Sequence, residues 1–294
     1  MVNTVITHES LTRLAIFLAI LVAMAVWELL APRRPQDFGR RLRWPANLGI
    51  AVIDTLSQRV VLPSALVGFA LLIESRGWGL FGVLGWPALM TILASIIALD
   101  LLIYLQHVLF HAVPVLWRLH RMHHSDLECD VTTGVRFHPV EHLLSMGFKV
   151  AAIAALGAPP VAVLAFEVLL NATSMFNHAN IRMPRAIDHV LRWIVVTPDM
   201  HRVHHSVRPE ETNSNFGFNL PWWDRLLGTY RPGPAAGHDG MTLGVEQFRS
   251  PRDLRLRRLL IQPFLDPSSD YSIHRQTENS HSGGEFSVIR PSRR

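Results

Sequence analysis

DLLIYLQHVLFH, residues 100–111, is the stretch whose reading decides the fold. It continues an apolar run that starts at Pro87 and reaches Tyr104, close to the ~20 residues a helix needs to cross a bilayer. Asp100, Tyr104, His107 and His111 stand at i, i+4, i+7 and i+11, a polar stripe on one helical face of an otherwise Leu, Ile, Val and Phe sequence. Such a stripe faces protein, not lipid. A membrane helix is therefore expected to carry a histidine pair, with Asp100 orienting a histidine through its other ring nitrogen.

Outward from this stretch the chain is equally apolar. Of its 294 residues 49% are hydrophobic and 17% charged, too apolar for an ordinary soluble domain of this size. Further long apolar runs cover Leu14 to Leu30 and Leu48 to Ile73. An interrupted one runs from Leu143 to Leu170. The second must bury Asp54, Gln58 and Arg59 or lift them to the interface, and the last holds Lys149 and breaks at Gly157-Ala158-Pro159-Pro160 into a hairpin or kinked pair. Trp27-Glu28 closes the first run without a cleavage pattern, which reads as a retained anchor. Arg33, Arg34, Arg40, Arg41 and Arg43 crowd the first loop, so the positive-inside rule sets that loop, and with it everything from His107 onward, on the cytoplasmic side.

Twelve of the sixteen histidines lie between His107 and His205, where even scatter would leave a third. They form His107-x-x-x-His111, His120-x-x-His123-His124, His138-x-x-x-His142, the single His178, and His201-x-x-His204-His205. On a helix, i, i+3 and i+4 share a face, so each HxxHH offers three imidazoles from one turn. Two triplets and a pair supply eight nitrogens, more than one ion can use. Two metal ions are the natural count. Lone histidines such as His8, His189, His238, His274 and His281 are read as structural. The only cysteine, Cys129, leaves no disulfide and no thiolate zinc site.

The chain divides into 1–87, N-terminal transmembrane helices with a basic loop; 88–232, the histidine-bearing catalytic domain; 233–265, a basic amphipathic segment in which Arg252, Arg255, Arg257 and Arg258 alternate with leucines; and 266–294, a polar tail expected to be disordered. That basic segment suits either the membrane surface or the side of the domain. The net charge of +5 sits in loops beside apolar segments, which favours membrane lipids as partners and gives no nucleic-acid pattern.

With these residues in view, the segments DLLIYLQHVLFH, PVLWRLHRMHHS, RFHPVEH, NHANIRMP, TPDMHRVHHS and NFGFNLPWWDRLLGTY resemble the fatty acid hydroxylase / sterol desaturase superfamily of membrane-bound di-iron oxygenases. The resemblance runs from about Asp100 to Pro232. It implies an all-α integral membrane bundle of three to five embedded helices under a cytosolic helical cap that holds a dinuclear histidine site. It implies as ligands His107, His111, His120, His123, His124, His201, His204 and His205, with His138 and His178 as additions. His142, Glu141, Asp100 and Asp199 are expected behind them. The implied cofactors are two iron ions, with O2 as co-substrate. The implied reaction hydroxylates, or else desaturates, a C–H bond of a hydrophobic lipid or sterol-like substrate, with electrons from a separate ferredoxin- or cytochrome-type donor that the Arg-rich surface would dock.

Two other classes fit part of the pattern. His138-Pro-Val-Glu141-His142 satisfies the H-x-x-E-H pattern of a zinc hydrolase, although this leaves both HxxHH triplets unexplained. A non-enzymatic histidine-rich metal or haem-binding membrane protein predicts instead a polar path across the bilayer.

Overall fold

The computed structural model describes residues 9–265, so the expected tail at 266–294 lies outside them, as do His8, His274 and His281. The described chain is all-α. Its only strand-like pairings are isolated bridges, Pro32 with Ile181 and Ser206 with Leu243.

Among the described residues, five helical stretches are long and apolar enough to cross a membrane: Glu9–Leu30, Arg40–Leu84, Ala88–Ala112, Pro139–Leu156 and Pro160–His178. This makes the chain an integral membrane protein. The first is helix α1 (Glu9–Leu30), whose Leu14, Leu18, Val22 and Val26 recur at i+4 spacing and stay exposed, as a lipid-facing stripe must. The second stretch is broken. Helix α2 (Arg40–Val61) begins eight residues before the expected run, and Pro63, which has no N–H to donate, precedes a left-handed Ala65 where α3 (Ala65–Ser75) starts.

Helix α4 (Ala88–Ala112) is the long span, 25 residues or about 37 Å. Pro114 opens α5 (Pro114–His124) at a position where a missing N–H costs nothing. The fourth run splits at its Gly-Pro break into α6 (Pro139–Leu156) and α7 (Pro160–His178), with Gly157 in the left-handed conformation between them. Two short helices follow, α8 (Pro198–His204) and α9 (Leu256–Ile261).

The ends of these helices sort into two levels. Leu66, Val67, Leu99, Ile103, Met146 and Phe166 make the core in the middle of the bundle. At one end lie Glu28 of α1, the first turns of α2 and α6, the last turns of α4 and α7, and all of α5 and α8. Glu28 ties α1 to this end by accepting the backbone N–H groups of Val131 (2.7 Å) and Asn180 (2.9 Å). At the other end a Cβ on Gly79 would collide with the backbone of Leu156 and Gly157, so the chain from Arg43 to Gly79 makes one broken traverse.

Of the five arginines of the first loop, Arg41 is exposed and the other four are tied into the protein. Arg43 is fully buried, gripping Asp126 with two hydrogen bonds (2.7 and 2.8 Å) and Asp130 with one (2.6 Å). Arg33 pairs with Asp199 and Asp239, Arg34 donates to the carbonyls of His238 and Met241, and Arg40 reaches Glu28. Neighbouring acids and carbonyls hold them because a buried guanidinium must be paired. The basic segment near the C-terminus also packs on the domain. Leu259 of α9 is buried against Ala46, Ile50 and Met122.

Candidate metal centre

Nine histidines converge at the capped end in two adjacent groups. One holds His107 and His111 from α4, His120 and His124 from α5, and His204 from α8. The other holds His123 from α5, His178 at the end of α7, and His201 and His205 from and just after α8. All nine are buried, and within each group one nitrogen per ring lies within 4.8 Å of all the others. Imidazole nitrogens bind a divalent ion at about 2.1 Å, so opposed ligands stand about 4.2 Å apart; each group is nearly of coordination size.

Local sequence sets each ring. Thr197 caps α8 by accepting the N–H of Met200, and Pro198 starts the helix, which aims His201, His204 and His205 from one turn. The close approach of α7 to the 133–135 turn rests on Gly134, where a Cβ would lie 2.4 Å from the Ser174 carbonyl. That carbonyl in turn accepts His178 Nδ1 at 2.7 Å.

The hydrogen bonds reveal the tautomers. Nδ1 of His107 donates to Phe216 O (2.7 Å), that of His123 to Arg136 O (3.1 Å) and that of His204 to Ser214 O (2.8 Å). Nδ1 of His120 meets Glu141 Oε1 at 2.6 Å and that of His111 meets Asn213 Oδ1 at 3.0 Å. Carbonyl and carboxylate oxygens only accept, so these rings carry their proton outward and turn a bare Nε2 lone pair inward. Yet Nε2 of His107 faces Nε2 of His120 at 3.0 Å, and Nε2 of His178 faces that of His123 at 3.1 Å. Two lone pairs do not bond each other. Opposed lone pairs in a dry site fit a shared cation.

Electrostatics agrees. Burial first, and neighbouring histidines second, hold His123, His124, His201, His204 and His205 well below the usual imidazole range, and burial brings His120 down to about 3. The rings are neutral, the form that binds metal. Nδ1 of His124, His201 and His205 and Nε2 of His204 are buried without a hydrogen-bond partner among the described residues. The donor set, all neutral imidazole, suits Fe, Zn, Cu or Ni.

Other expected residues stand elsewhere. His138 belongs to neither group: it caps α6, taking the Val140 N–H on Nδ1 while Nε2 meets Leu260 O at 3.2 Å. His142 bonds Gln58, and no candidate metal group among the described residues joins it to His138, so the zinc-hydrolase pattern has no ligand set. Asp100 touches no histidine. It lies two turns before His107 and accepts Trp223 Nε1 (2.8 Å) and Leu220 N (3.3 Å), bracing the NFGFNLPWW loop. Asp199 is held by Arg33 and Arg202. Only Glu141, of the four acids and histidines expected behind the ligands, meets a converging ring.

What the sequence reading missed is that loop's purpose. Asp224 accepts the N–H groups of Phe216 (2.7 Å) and Gly217 (2.9 Å), and the loop so held delivers Phe216 O, Ser214 O and Asn213 Oδ1 to three histidines. Backbone carbonyls leave no residue signature. Asn213 could have been suspected as a polar residue just before the aromatic signature.

A cavity of about 610 Å³ runs from His107 and His120 along Phe110, Phe137 and Phe218 into the membrane-spanning region, between α1, α2, α6 and α7. Phe137 stacks on His123 with centroids 4.5 Å apart. The site can therefore present metal-bound chemistry to an apolar chain while aromatic rings keep water away.

Residues 92–229 match the family model described as fatty acid hydroxylase. Over 159 residues the chain is 32% identical to the ornithine lipid hydroxylase OlsE of Rhizobium tropici, covering 53% of this chain and 47% of that protein. It is 30% identical to the alkylglycerol monooxygenase of Xenopus tropicalis (56% and 36% covered) and 28% identical to the human cholesterol 25-hydroxylase (48% and 51% covered). The chain spans about half or less of these relatives' length. No solved structure matches it.

Proposed function

We propose that this chain, whose residues 92–229 belong to the fatty acid hydroxylase family, is a membrane-embedded di-iron oxygenase that hydroxylates a C–H bond of a lipid-like substrate. One observation carries the reading: nine neutral, buried imidazoles in groups of five and four face one another at the head of a membrane cavity. The named activities of the relatives, all hydroxylations or monooxygenations of lipids or sterols, support it.

The group of His107, His111, His120, His124 and His204 and the group of His123, His178, His201 and His205 would each hold one iron ion, and the pair would supply the O2-dependent oxidation of an unactivated C–H bond. The overall balance is one C–H bond and one O2, with two electrons and two protons, giving an alcohol and water. The chain's residues do the rest. His107 and His120 sit where the cavity meets the first group, so the carbon that reacts is the one the cavity brings to them. Glu141 holds the Nδ1 proton of His120 and sets a carboxylate against a cationic centre otherwise ligated by neutral rings. Phe137 and Phe218 line the approach and exclude water.

We further assign 88–232 as the catalytic domain, with 1–87 supplying the α1 and α2 walls and 233–265 closing over His138. The electrons come from a separate ferredoxin- or cytochrome-type donor, a reading supported by a single cysteine, Cys129, that cannot hold a cluster. The metal site is placed on the cytoplasmic face, supported by the arginines of the first loop. A reporter fused to the end of the full chain tests it, with cytoplasmic exposure expected.

The deciding experiment is anaerobic purification with metal analysis, followed by turnover of lipid extract under ¹⁸O2 with an added reductase. Close to two irons per chain and an ¹⁸O-labelled alcohol are expected. One zinc with hydrolytic activity, or an alkene without alcohol, overturns the reading.

A further inference from the structure

The cavity has a second, polar end. Four buried side-chain atoms of its wall lack a hydrogen-bond partner among the described residues: Asp54 Oδ1, Glu141 Oε2, Gln106 Oε1 and Glu9 Oε2. All four are acceptors. Glu141 belongs to the histidine end, but Asp54, 5% exposed, does not. It stands seven residues beyond Asn47 on α2, about 10 Å deeper than the level at which Asn47 bonds Arg136.

Deeper still is an ion triad. Glu167 accepts Lys149 Nζ at 2.7 Å and Arg13 at 3.1 Å, and all three line the same cavity. Glu167 lies eleven residues before His178 on α7, about 16 Å along the axis; Lys149 lies eight residues after Glu141 on α6, about 12 Å. Charged groups at membrane depth are costly and persist where they have a task. Within this pole three basic side chains, Arg13, Arg59 and Lys149, stand against three acidic ones, Glu9, Asp54 and Glu167. A charged ligand would break that balance. A neutral group that donates a hydrogen bond would satisfy Asp54 and keep it.

We propose that this pole binds a hydroxyl group on the lipid substrate, with Asp54 accepting its hydrogen, so that the carbon presented to the histidines lies about 10 to 16 Å from that hydroxyl. This rests on the reading of the cavity as a lipid site. It makes the distance from the hydroxyl to the histidine end the ruler that selects the carbon. A site built to bond an OH discriminates strongly against an analogue without one.

The test is equilibrium binding of four radiolabelled probes to the purified full-length chain in nanodiscs, with and without metal: hexadecan-1-ol, 1-methoxyhexadecane, hexadecanoate and hexadecylammonium. The alcohol is expected to bind at least about tenfold more tightly than its methyl ether and than either ion, whether or not metal is present. Asp54→Leu should bring alcohol and ether to within about twofold. Equal binding of alcohol and ether, tightest binding of an ion, or a preference that survives Asp54→Leu overturns the proposal and leaves the oxygenase reading standing. If no probe is retained above the nanodisc background, the proposal falls, and the metal analysis and ¹⁸O2 turnover decide the oxygenase reading separately. Should Asp54→Leu fail to fold, the wild-type comparison, which needs no variant, decides alone.

Discussion

The two histidine groups share a chemistry but not a setting. Around the group of five, two side chains, Glu141 and Asn213, support His120 and His111, and two of its rings line the cavity. Around the group of four the visible supports are backbone carbonyls, Arg136 O and Ser174 O, and no ring of that group lines the cavity. His178 there stands within 3.1 Å of His123, His201 and His205 at once. The difference teaches that two metal sites side by side need not be equivalent. One draws two of its four supports from replaceable side chains and opens on the cavity. The other is locked by the fold and completes the pair.

Removing His178 should break the comparison hardest. His178→Ala takes the ring on which the group of four centres, and metal content should fall by about one ion per chain, with product formation down by at least about a hundredfold. Unchanged metal content would show that the group of four is no site. Next is Glu141→Ala, expected to cost about 10- to 100-fold in metal affinity at the group of five while the other ion stays, with Glu141→Gln restoring part because its amide oxygen still accepts. Equal loss of both ions would erase the distinction. Asn213→Ala, which removes a neutral acceptor, should cost about tenfold in the same titration. The smallest effect belongs to His138→Ala: both ions retained, and about 1 kcal/mol of stability lost with the α6 cap, read by thermal unfolding. A lost ion would return His138 to the ligand set.

The converging histidines were legible because helix geometry converts HxxHH and HxxxH into shared faces without help from tertiary structure. His178 was legible only through resemblance, since a single histidine has no spacing. Asp100 misled for a physical reason: its place on the His107 stripe was read correctly, but seven residues of separation put it two turns away, next to Trp223 instead of a ring. Arg33, Arg34 and Arg43 were legible as a basic loop but not as paired groups. Counting charge cannot tell a solvated arginine from one whose carboxylate partner is more than eighty residues distant. The same holds for the polar pole, where Lys149 and Asp54 read only as misfits in apolar runs until α1, α2, α6 and α7 were seen to enclose one space.

The pairing of Arg13 with Glu167 has a consequence for biogenesis. The two residues are separated by 154 positions, so α1 leaves the ribosome and enters the bilayer long before its counter-charge is made. Until α7 arrives, Arg13 has to snorkel to the interface, and α1 cannot settle against its final neighbour. The cavity wall is thus the last part of the membrane bundle to close. Truncated chains ending before Glu167 should leave α1 loosely associated, and insertion of the first helix should be the step most sensitive to how quickly the rest is translated.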